Sequence, residues 1–333
     1  YVDSINNISV IIEKINVYKN GVLMPVGTES FVSTALTDTW SFTLTVTVTE
    51  PILGLSPFLH TDNNNNAGFV GINNMSLQFN LQQACNRFFS SSTGYISSIS
   101  LSSVTNCKLL MNFLSLQPEQ YSKISPRNVL PYIDLPRYLF NTTQTTIAPN
   151  NSSIITFSNI QLNQIPDLMI IVARPPMGSQ KWYNTSSFYG IPRISINFNN
   201  KSGILSSANQ QQLYDLSFKN GSSQTFYEFA GLAQVNNNTT GLPTSVYTLG
   251  SLLILNPSLD FGLPSMLSGS SGGQFNLQFD LTVFNNTNAN ITNVEICLIT
   301  INSGTFSTEM GTSNTNTGVL TREQVLDTKT KAP

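Results

Sequence analysis

Chemistry needs side chains that can bind a metal, move a proton or attack an electrophile, and in this chain they are sparse. His60 is the only histidine. One imidazole cannot build a His-rich metal site, and no cysteine or carboxylate clusters beside it. A serine hydrolase would also need its base there. Phosphate-cradling G-x-x-x-x-G-K-[ST] and dinucleotide-binding G-x-G-x-x-G loops are absent. The glycine-rich Gly269-Ser-Ser-Gly-Gly273 is followed by neither a predicted helix nor a lysine and reads as a flexible loop. Asp62-Asn-Asn-Asn-Asn-Ala67 resembles a calcium loop only in its wealth of side-chain oxygens. A glycosidase needs no more than two carboxylates. The candidates are Glu50, Asp134, Asp167, Asp215, Glu228, Asp260 and Glu295, each beside a turn, a cap or a strand edge, where structural roles account for a carboxylate. No catalytic, cofactor-binding or metal-binding residue is therefore assigned.

The other polar candidates leave two readings each. Arg87, Arg127, Arg137, Arg174 and Arg193 lie next to prolines or strand ends. They either pair with carboxylates and carbonyls at subunit contacts or are solvated ends. Trp40, Trp182 and Tyr183 are core or interface anchors, or else platforms for stacking on sugar rings. Cys85, Cys107 and Cys297 are an odd number without C-x-x-C spacing, so at least one is free within the chain. They read as small buried hydrophobes rather than a disulfide scaffold. Sequons at Asn7, Asn141, Asn184, Asn220 and Asn290 are what a chain rich in Asn, Ser and Thr generates by chance.

The elements that must carry these residues are strands. Apolar residues make up 40% of the chain, enough for a real core, while charged ones make up 10%, against roughly 25% in ordinary soluble domains. The wet faces are written in Asn, Ser, Thr and Gln. A net charge of −2 leaves no overall electrostatic footprint for nucleic acid. The apolar runs fall short of the roughly 20 residues that a spanning helix requires. Residues 274–283 alternate Phe275, Leu277, Phe279, Leu281 and Val283 with polar residues, which predicts a strand with one buried face. After a polar turn over 285–290, residues 294–301 are apolar on both faces beyond Cys297, as in a central strand covered on two sides. The two strands are expected to face each other across that turn.

The same pattern recurs along the chain. Residues 9–19 read as a strand, and Asn20-Gly21 before Val22-Leu-Met24 is a hairpin signal, because both turn residues tolerate positive φ. Residues 41–49 alternate Phe42, Leu44, Val46 and Val48 with threonine and serine. Further strands are predicted over 75–81, 96–101, 107–114, 138–145, 154–162, 168–173, 194–198 and 249–255. Helix is scarce. The best case opens at a Ser206 N-cap, carries an apolar stripe of Leu213, Leu216 and Phe218, and stops at Asn220-Gly221 after Lys219. Weaker ones lie at 82–89 and at 321–326, the latter with Thr321 and Gln324 spaced for a capping box. Short strands separated by long loops predict an all-β antiparallel sandwich or barrel, and favour a jelly roll over a hairpin meander.

Several segments, taken in order, resemble the double jelly-roll major capsid proteins of adintovirus-, Polinton- and virophage-like DNA viruses. They are Thr49-Glu-Pro-Ile-Leu-Gly-Leu-Ser-Pro-Phe58, Gly71-Ile-Asn-Asn-Met-Ser-Leu-Gln-Phe-Asn80, Arg127-Asn-Val-Leu-Pro-Tyr132 with Leu135-Pro-Arg-Tyr138, and Pro166-Asp-Leu-Met-Ile-Ile-Val172. Then come Ile194-Ser-Ile-Asn-Phe-Asn-Asn200 leading to Leu205-Ser-Ser-Ala-Asn-Gln-Gln-Gln-Leu-Tyr214, Gly250-Ser-Leu-Leu-Ile-Leu-Asn256, residues 274–306 and Leu320-Thr-Arg-Glu-Gln-Val-Leu326. No single one is a chemical signature; their collinear order from about residue 41 to the end carries the likeness. The resemblance implies two eight-stranded jelly rolls per subunit with one or two short helices in loops. It further implies a homotrimeric, pseudo-hexagonal capsomer that meets neighbouring capsomers and minor capsid or penton proteins in the icosahedral shell of a virion. No enzyme activity, cofactor, specific nucleic-acid site or membrane span belongs to that role. Residues 1–62 would be the end of the first roll and residues 63–333 the second, the alternative being a split near 190. A carbohydrate-binding or adhesive β-sandwich is the rival function.

Overall fold

The computed structural model describes residues 9–24, 39–49, 76, 108, 117–121, 127–142, 146–176, 179–180, 187–236, 243–263, 272–309 and 312–317. Apart from Ser76 and Lys108, the strands expected over 75–81, 96–101 and 107–114 lie outside these residues, as do the helices expected at 82–89 and 321–326. The chain separates into two units, Tyr1–Ala67 and Gly68–Pro333.

In the first unit, β1 (Ser9–Lys19), β2 (Val22–Leu23) and β3 (Trp40–Thr49) form an antiparallel sheet of order β2-β1-β3. The expected hairpin is present: Asn20 and Gly21 have φ of 49° and 81°, and Lys19 pairs with Val22 across them. Two consecutive positive φ values match the right-handed twist of the flanking strands. Asn20 also ties the start of β3, accepting from the Thr39 amide at 2.8 Å while its own amide donates to the Thr39 carbonyl at 2.8 Å. Ser41, Thr43 and Thr45 are exposed, as their alternation predicts.

The described part of the second unit contains the short α1 (Pro118–Tyr121), followed by β4 (Arg127–Asp134), β5 (Arg137–Thr142), β6 (Ser152–Gln164), β7 (Leu168–Arg174), β8 (Gly190–Phe198) and β9 (Lys201–Ile204). Next come α2 (Gln210–Lys219), α3 (Phe226–Ala230) and the hairpin β10 (Leu232–Asn236) and β11 (Pro243–Tyr247). The unit continues through β12 (Leu253–Leu255), α4 (Pro257–Asp260), β13 (Gly272–Phe284), β14 (Val294–Glu309) and β15 (Thr312–Thr317). One sheet runs β12-β7-β14, with β5 on the far side of β14, and the other runs β6-β13-β8-β9. Letter β5 to β9 as B to F and β12 to β14 as G to I. The sheets then read B-I-D-G and C-H-E-F, the strand order of a jelly roll of two Greek keys. Strands on both sides of residue 190 belong to the same two sheets, so no boundary between barrels falls there.

The expected pair of long strands is present, and they face each other from opposite sheets rather than pairing edge to edge. Phe275, Leu277, Phe279, Leu281 and Val283 of β13 are buried in the core. Phe157 on β6 bridges the layers, packing edge-on against Phe279 at 5.2 Å and stacked on Phe140 of β5 at 5.4 Å. Such aromatic pairs add stability beyond the area they bury. β8 keeps Ile191, Ile194, Ile196 and Phe198 buried although Pro192 interrupts its ladder; the register slips between Thr282 and Phe284 of β13, a bulge where a residue without an N–H is tolerated.

Residues 294–298 of β14 are all buried, as expected of a central strand. The strand runs on to Glu309. Its first half lies between β5 and β7, its second between β4 and β15. β4 and β5 keep one continuous register along β14, broken only at Leu135-Pro136, where the Pro136 carbonyl still accepts from the Thr300 amide at 3.1 Å.

The long helix forms where expected but starts later. Asn209, not Ser206, is its N-cap: Asn209 accepts from the Gln212 amide, and the Gln212 side chain accepts from the Asn209 amide, both at 2.9 Å. Ser206 is instead held in a turn after β9, its amide on the Gly203 carbonyl. The stop at Asn220-Gly221 is present, with Gly221 at φ 103°. Only residues 253–255 of the strand expected over 249–255 form, because Gly250 turns the chain at φ 90°.

Candidate functional site

The insertion between β9 and β12, residues 205–252, is where the barrel departs from a plain jelly roll. Uncharged side chains fasten it. The Asn286 amide, just after β13, donates to the Phe188 and Thr248 carbonyls at 3.0 and 3.1 Å. Ser251 is fully buried; its hydroxyl donates to the Phe229 carbonyl at 2.6 Å and accepts from the Ile191 amide at 2.8 Å. Gln224 donates to the Gly250 carbonyl and accepts from the Leu252 amide, both at 3.0 Å. Ser217 of α2 donates to the Leu213 carbonyl at 2.9 Å and accepts from the Ile254 amide of β12 at 3.1 Å. Apart from the bond to the Leu213 carbonyl, which lies within α2, these bonds pair backbone groups that lie outside helix and strand ladders or at their ends. Gly250 is required at its place, since a Cβ there would lie 1.9 Å from the Phe188 carbonyl oxygen.

Above this base the surface is aromatic. Tyr214 lies 6.1 Å from Phe218, and edge-on to Phe226 at 5.6 Å and to the buried Phe229 at 5.9 Å; Tyr227 continues the row 6.1 Å from Phe226. Phe218 is 60% exposed and Tyr227 62%. Val235, Val246, Tyr247 and Leu249 extend the exposed apolar surface over the hairpin.

Among the described residues, the candidates Glu295, Asp167, Asp260, Asp215 and Glu228 each have a local partner other than a carboxylate. Glu295 forms a buried ion pair with Arg174, its neighbour across the β14–β7 ladder, with Arg174 Nε donating to Oε1 at 2.7 Å and Nη2 2.6 Å from the same oxygen. Asp167 accepts from the Ser303 amide at 3.1 Å and from its hydroxyl. Asp260 accepts from the Asn256 amide at 2.7 Å and from Asn220 Nδ2 at 2.8 Å, which joins α4 to the end of α2. Asp215 accepts from Gln211 on its own helix at 3.0 Å. Glu228 closes the capping box of α3, accepting from the Thr225 amide at 2.8 Å and hydroxyl at 2.9 Å. Those bonds hold its carboxyl below the usual range. Asp134 lies opposite Asn302, and after burial it is the second influence that raises the phenol pKa of Tyr132 and Tyr138.

Among the described residues no three His, Cys, Asp or Glu side chains gather to hold a metal ion, and no helix is long and apolar enough to cross a membrane. Cys297 is buried with its thiol unpaired to another cysteine; burial pushes its pKa up, partly opposed by Arg174. Gly269-Ser-Ser-Gly-Gly273 has the spelling of a nucleophile elbow, yet its last two residues begin β13 where an elbow needs a helix. Arg193 and Arg137 are exposed, as are the sequon residues Asn141 and Asn290, whereas the Asn220 amide is committed to the Ile254 carbonyl and Asp260. His60, Glu50, Arg87, Cys85, Cys107, Trp182, Tyr183, Asn7 and Asn184 lie outside the described residues. The insertion surface was not singled out from sequence: Phe218 was expected on the apolar stripe of α2, but the buried face of the helix is Leu213 and Ser217, and Phe218 turns outward as Tyr227 does.

The barrel coincides with a known family. Residues 135–304, from just before β5 to within β14, match the family model for the major capsid protein V20 C-terminal domain. Residues 5–114 match that for the first domain of the Sputnik virophage major capsid protein. The putative capsid protein V20 of Sputnik virophage is 30% identical over 236 residues, 66% of this chain and 39% of the relative. The cryo-EM structure of the Sputnik virophage superposes with a TM-score of 0.54 at 31% identity, over 61% of this chain and 41% of that one. The crystal structure of the mavirus major capsid protein shares the fold, with a TM-score of 0.52 at 20% identity, over 66% of this chain and 47% of that one. The chain thus spans about two fifths of the length of the Sputnik relatives it matches. With that match running over its eight-stranded barrel from before β5 into β14, the chain belongs to the virophage major capsid protein family, of which V20 is a member.

Proposed function

We propose that this chain is a structural capsid protein of a virion. In this reading three copies make a pseudo-hexagonal capsomer, and capsomers tile an icosahedral shell with one another and with minor capsid and penton proteins. The chain carries out no catalysis and holds no cofactor. The observation that carries the reading is the coincidence of the complete B-I-D-G and C-H-E-F barrel with the capsid family match over 135–304. A filled apolar interior supports it as well, since a barrel packed through with side chains has its outside left for work. Low charge fits the same role: polar, uncharged surfaces exchange water hydrogen bonds for protein ones with little charge desolvation. Two jelly rolls follow one another in the proposed subunit, residues 1–114 closing the first. We put the boundary within 115–134, later than the 62/63 that the resemblance implied, a position supported by the ranges of the two family matches.

Light scattering on the purified chain, with negative-stain microscopy of concentrated material, tests the proposal. The expected result is a mass of three chains and particles of hexagonal outline. A monomer at every concentration, or one retained on a glycan column, would overturn it.

A further inference from the structure

The barrel interior is apolar until the end that carries the β6–β7 turn, where it becomes polar. Ile296 and Leu298 of β14 belong to the core, and at a period of two Thr300 and Asn302 follow on the same face. Gln164, the last residue of β6 in the opposite sheet, reaches across, its Nε2 donating to the Ser303 carbonyl at 3.3 Å. Thr300 is fully buried and Gln164 is 2% exposed. Asp134 of β4 stands opposite Asn302 in the ladder, so the two side chains share that face. At this level β14 also changes partners, leaving β5 and β7 for β4 and β15.

Three oxygens at this place are buried without a hydrogen-bond partner among the described residues: Gln164 Oε1, Thr300 Oγ1 and Asn302 Oδ1. Native interiors rarely leave even one such atom unpaired. Asp134 is half-buried, and among the described residues no cation is paired with it. Two phenols sense its charge instead: burial, and then Asp134, raise the pKa of Tyr132 and Tyr138. The Tyr138 hydroxyl does not serve the carboxylate, for it donates to the Gln161 carbonyl at 3.4 Å.

We propose that Gln164, Thr300, Asn302 and Asp134 hold a calcium ion at this end of the barrel. Two amide carbonyls, a hydroxyl and a carboxylate are all hard oxygen donors, and a carbonyl or carboxylate oxygen can only accept, so the occupant must bring positive charge. Calcium takes roughly six to eight oxygens of these kinds in irregular geometry and completes its shell with water. Magnesium demands a near-ideal octahedron, and zinc prefers nitrogen and sulfur. A single carboxylate places the affinity in the weak range, with Kd about 10⁻⁴–10⁻³ M. The ion is structural and takes part in no reaction. It ties β6 of one sheet to β4 and β14 of the other, where β14 changes partners.

The test uses the full chain stripped with EGTA. Calcium chloride at about 10 mM is expected to raise the melting temperature by about 5 °C, the linkage effect of a ligand well above its Kd. Terbium, a calcium substitute excited by neighbouring phenols, is expected to luminesce when tyrosine is excited and to lose that signal as calcium displaces it. Asp134→Asn keeps the shape and removes the charge. In EGTA it is expected to melt no lower than the wild type, because an unpaired half-buried carboxylate is unfavourable there; in calcium it should melt lower. Thr300→Val keeps the volume, removes Oγ1 and is expected to weaken calcium binding about tenfold, the loss of one ligand; it decides the matter where Asp134→Asn does not fold. A wild type whose melting temperature calcium does not move overturns the site and leaves these oxygens to water. A calcium shift that the folded variants keep in full overturns it too, since the ion is then bound elsewhere.

Discussion

The barrel and its insertion are stabilised by different physics. In the barrel, rows of Ile, Leu, Val and Phe from two sheets meet in one interior, and each side chain is held by many weak contacts. In the insertion, α3, the turn at Gly250 and the junction with β12 are each held by a few directed bonds from Asn286, Ser251, Gln224 and Ser217. The barrel can lose one contact and keep its shape. The insertion cannot lose one amide without stranding buried carbonyls. The lesson is that the insertion depends on directed polar bonds to set its backbone, whereas the barrel, which has such bonds too, draws mainly on packing.

Truncation at the centre of the barrel is the strongest way to press this contrast. Phe279→Ala removes a fully buried ring that touches Phe157. The expected cost is about 3–5 kcal/mol of global stability, read by denaturant unfolding, with barrel and insertion lost in one transition. Asn286→Ala comes next. It leaves the Phe188 and Thr248 carbonyls without their donor, for about 1–3 kcal/mol. Hydrogen exchange should rise at Gly250 and in α3 and stay unchanged in β13. Protection lost equally in β13 would break the comparison. Thr225→Ala takes away the N-cap of α3, worth about 1 kcal/mol, and its effect is expected to stop at the insertion, as judged by the same exchange measurement.

The two regions also differed in how far they could be read in advance. The barrel strands over 154–162, 194–198 and 274–283 announced themselves by alternation, because one face of each is buried on its own account, and 168–173 by an unbroken apolar run. The second half of β14, Asn302-Ser-Gly-Thr-Phe-Ser-Thr-Glu309, gave no such sign. Phe306, Ser307 and Thr308 are buried in consecutive positions although two of them are polar, and the strand pairs with β4 and β15. β4 was hidden by Pro131, and its partner lies far along the chain. α3 and α4, too short to show a period, are absent from the expected elements; the structure holds them by their caps, Thr225 with Glu228 and Asn256 before Pro257. The α2 start was misplaced because Ser206 and Asn209 are equally good caps by type, and only the reciprocal spacing to Gln212 distinguishes them. The exposed row was not legible as a site, since an aromatic residue in a β protein reads first as core.

The smallest expected effect sharpens the contrast through pH. Glu228 is a half-buried residue whose ionised carboxylate accepts from the Thr225 amide and hydroxyl, and these bonds lower its pKa from the ordinary 4.5. A carboxyl whose folded pKa is depressed contributes stability that is present above its unfolded pKa and is lost as pH falls through its folded pKa. The α3 cap should accordingly be intact at neutral pH and through the ordinary glutamate range, and release only below it. An amide titration by NMR should show Thr225 and Glu228 moving together with a midpoint under 4.5. Glu228→Gln should abolish that step, since an amide has no proton to take up. In Thr225→Ala the midpoint should return toward the unperturbed value, because the hydroxyl bond is gone. Leu281, on the core face of β13, should not respond at that midpoint. A coincident response there would mean that the cap and the barrel core form one cooperative unit, and the division drawn between directed bonding and packing would fall with it.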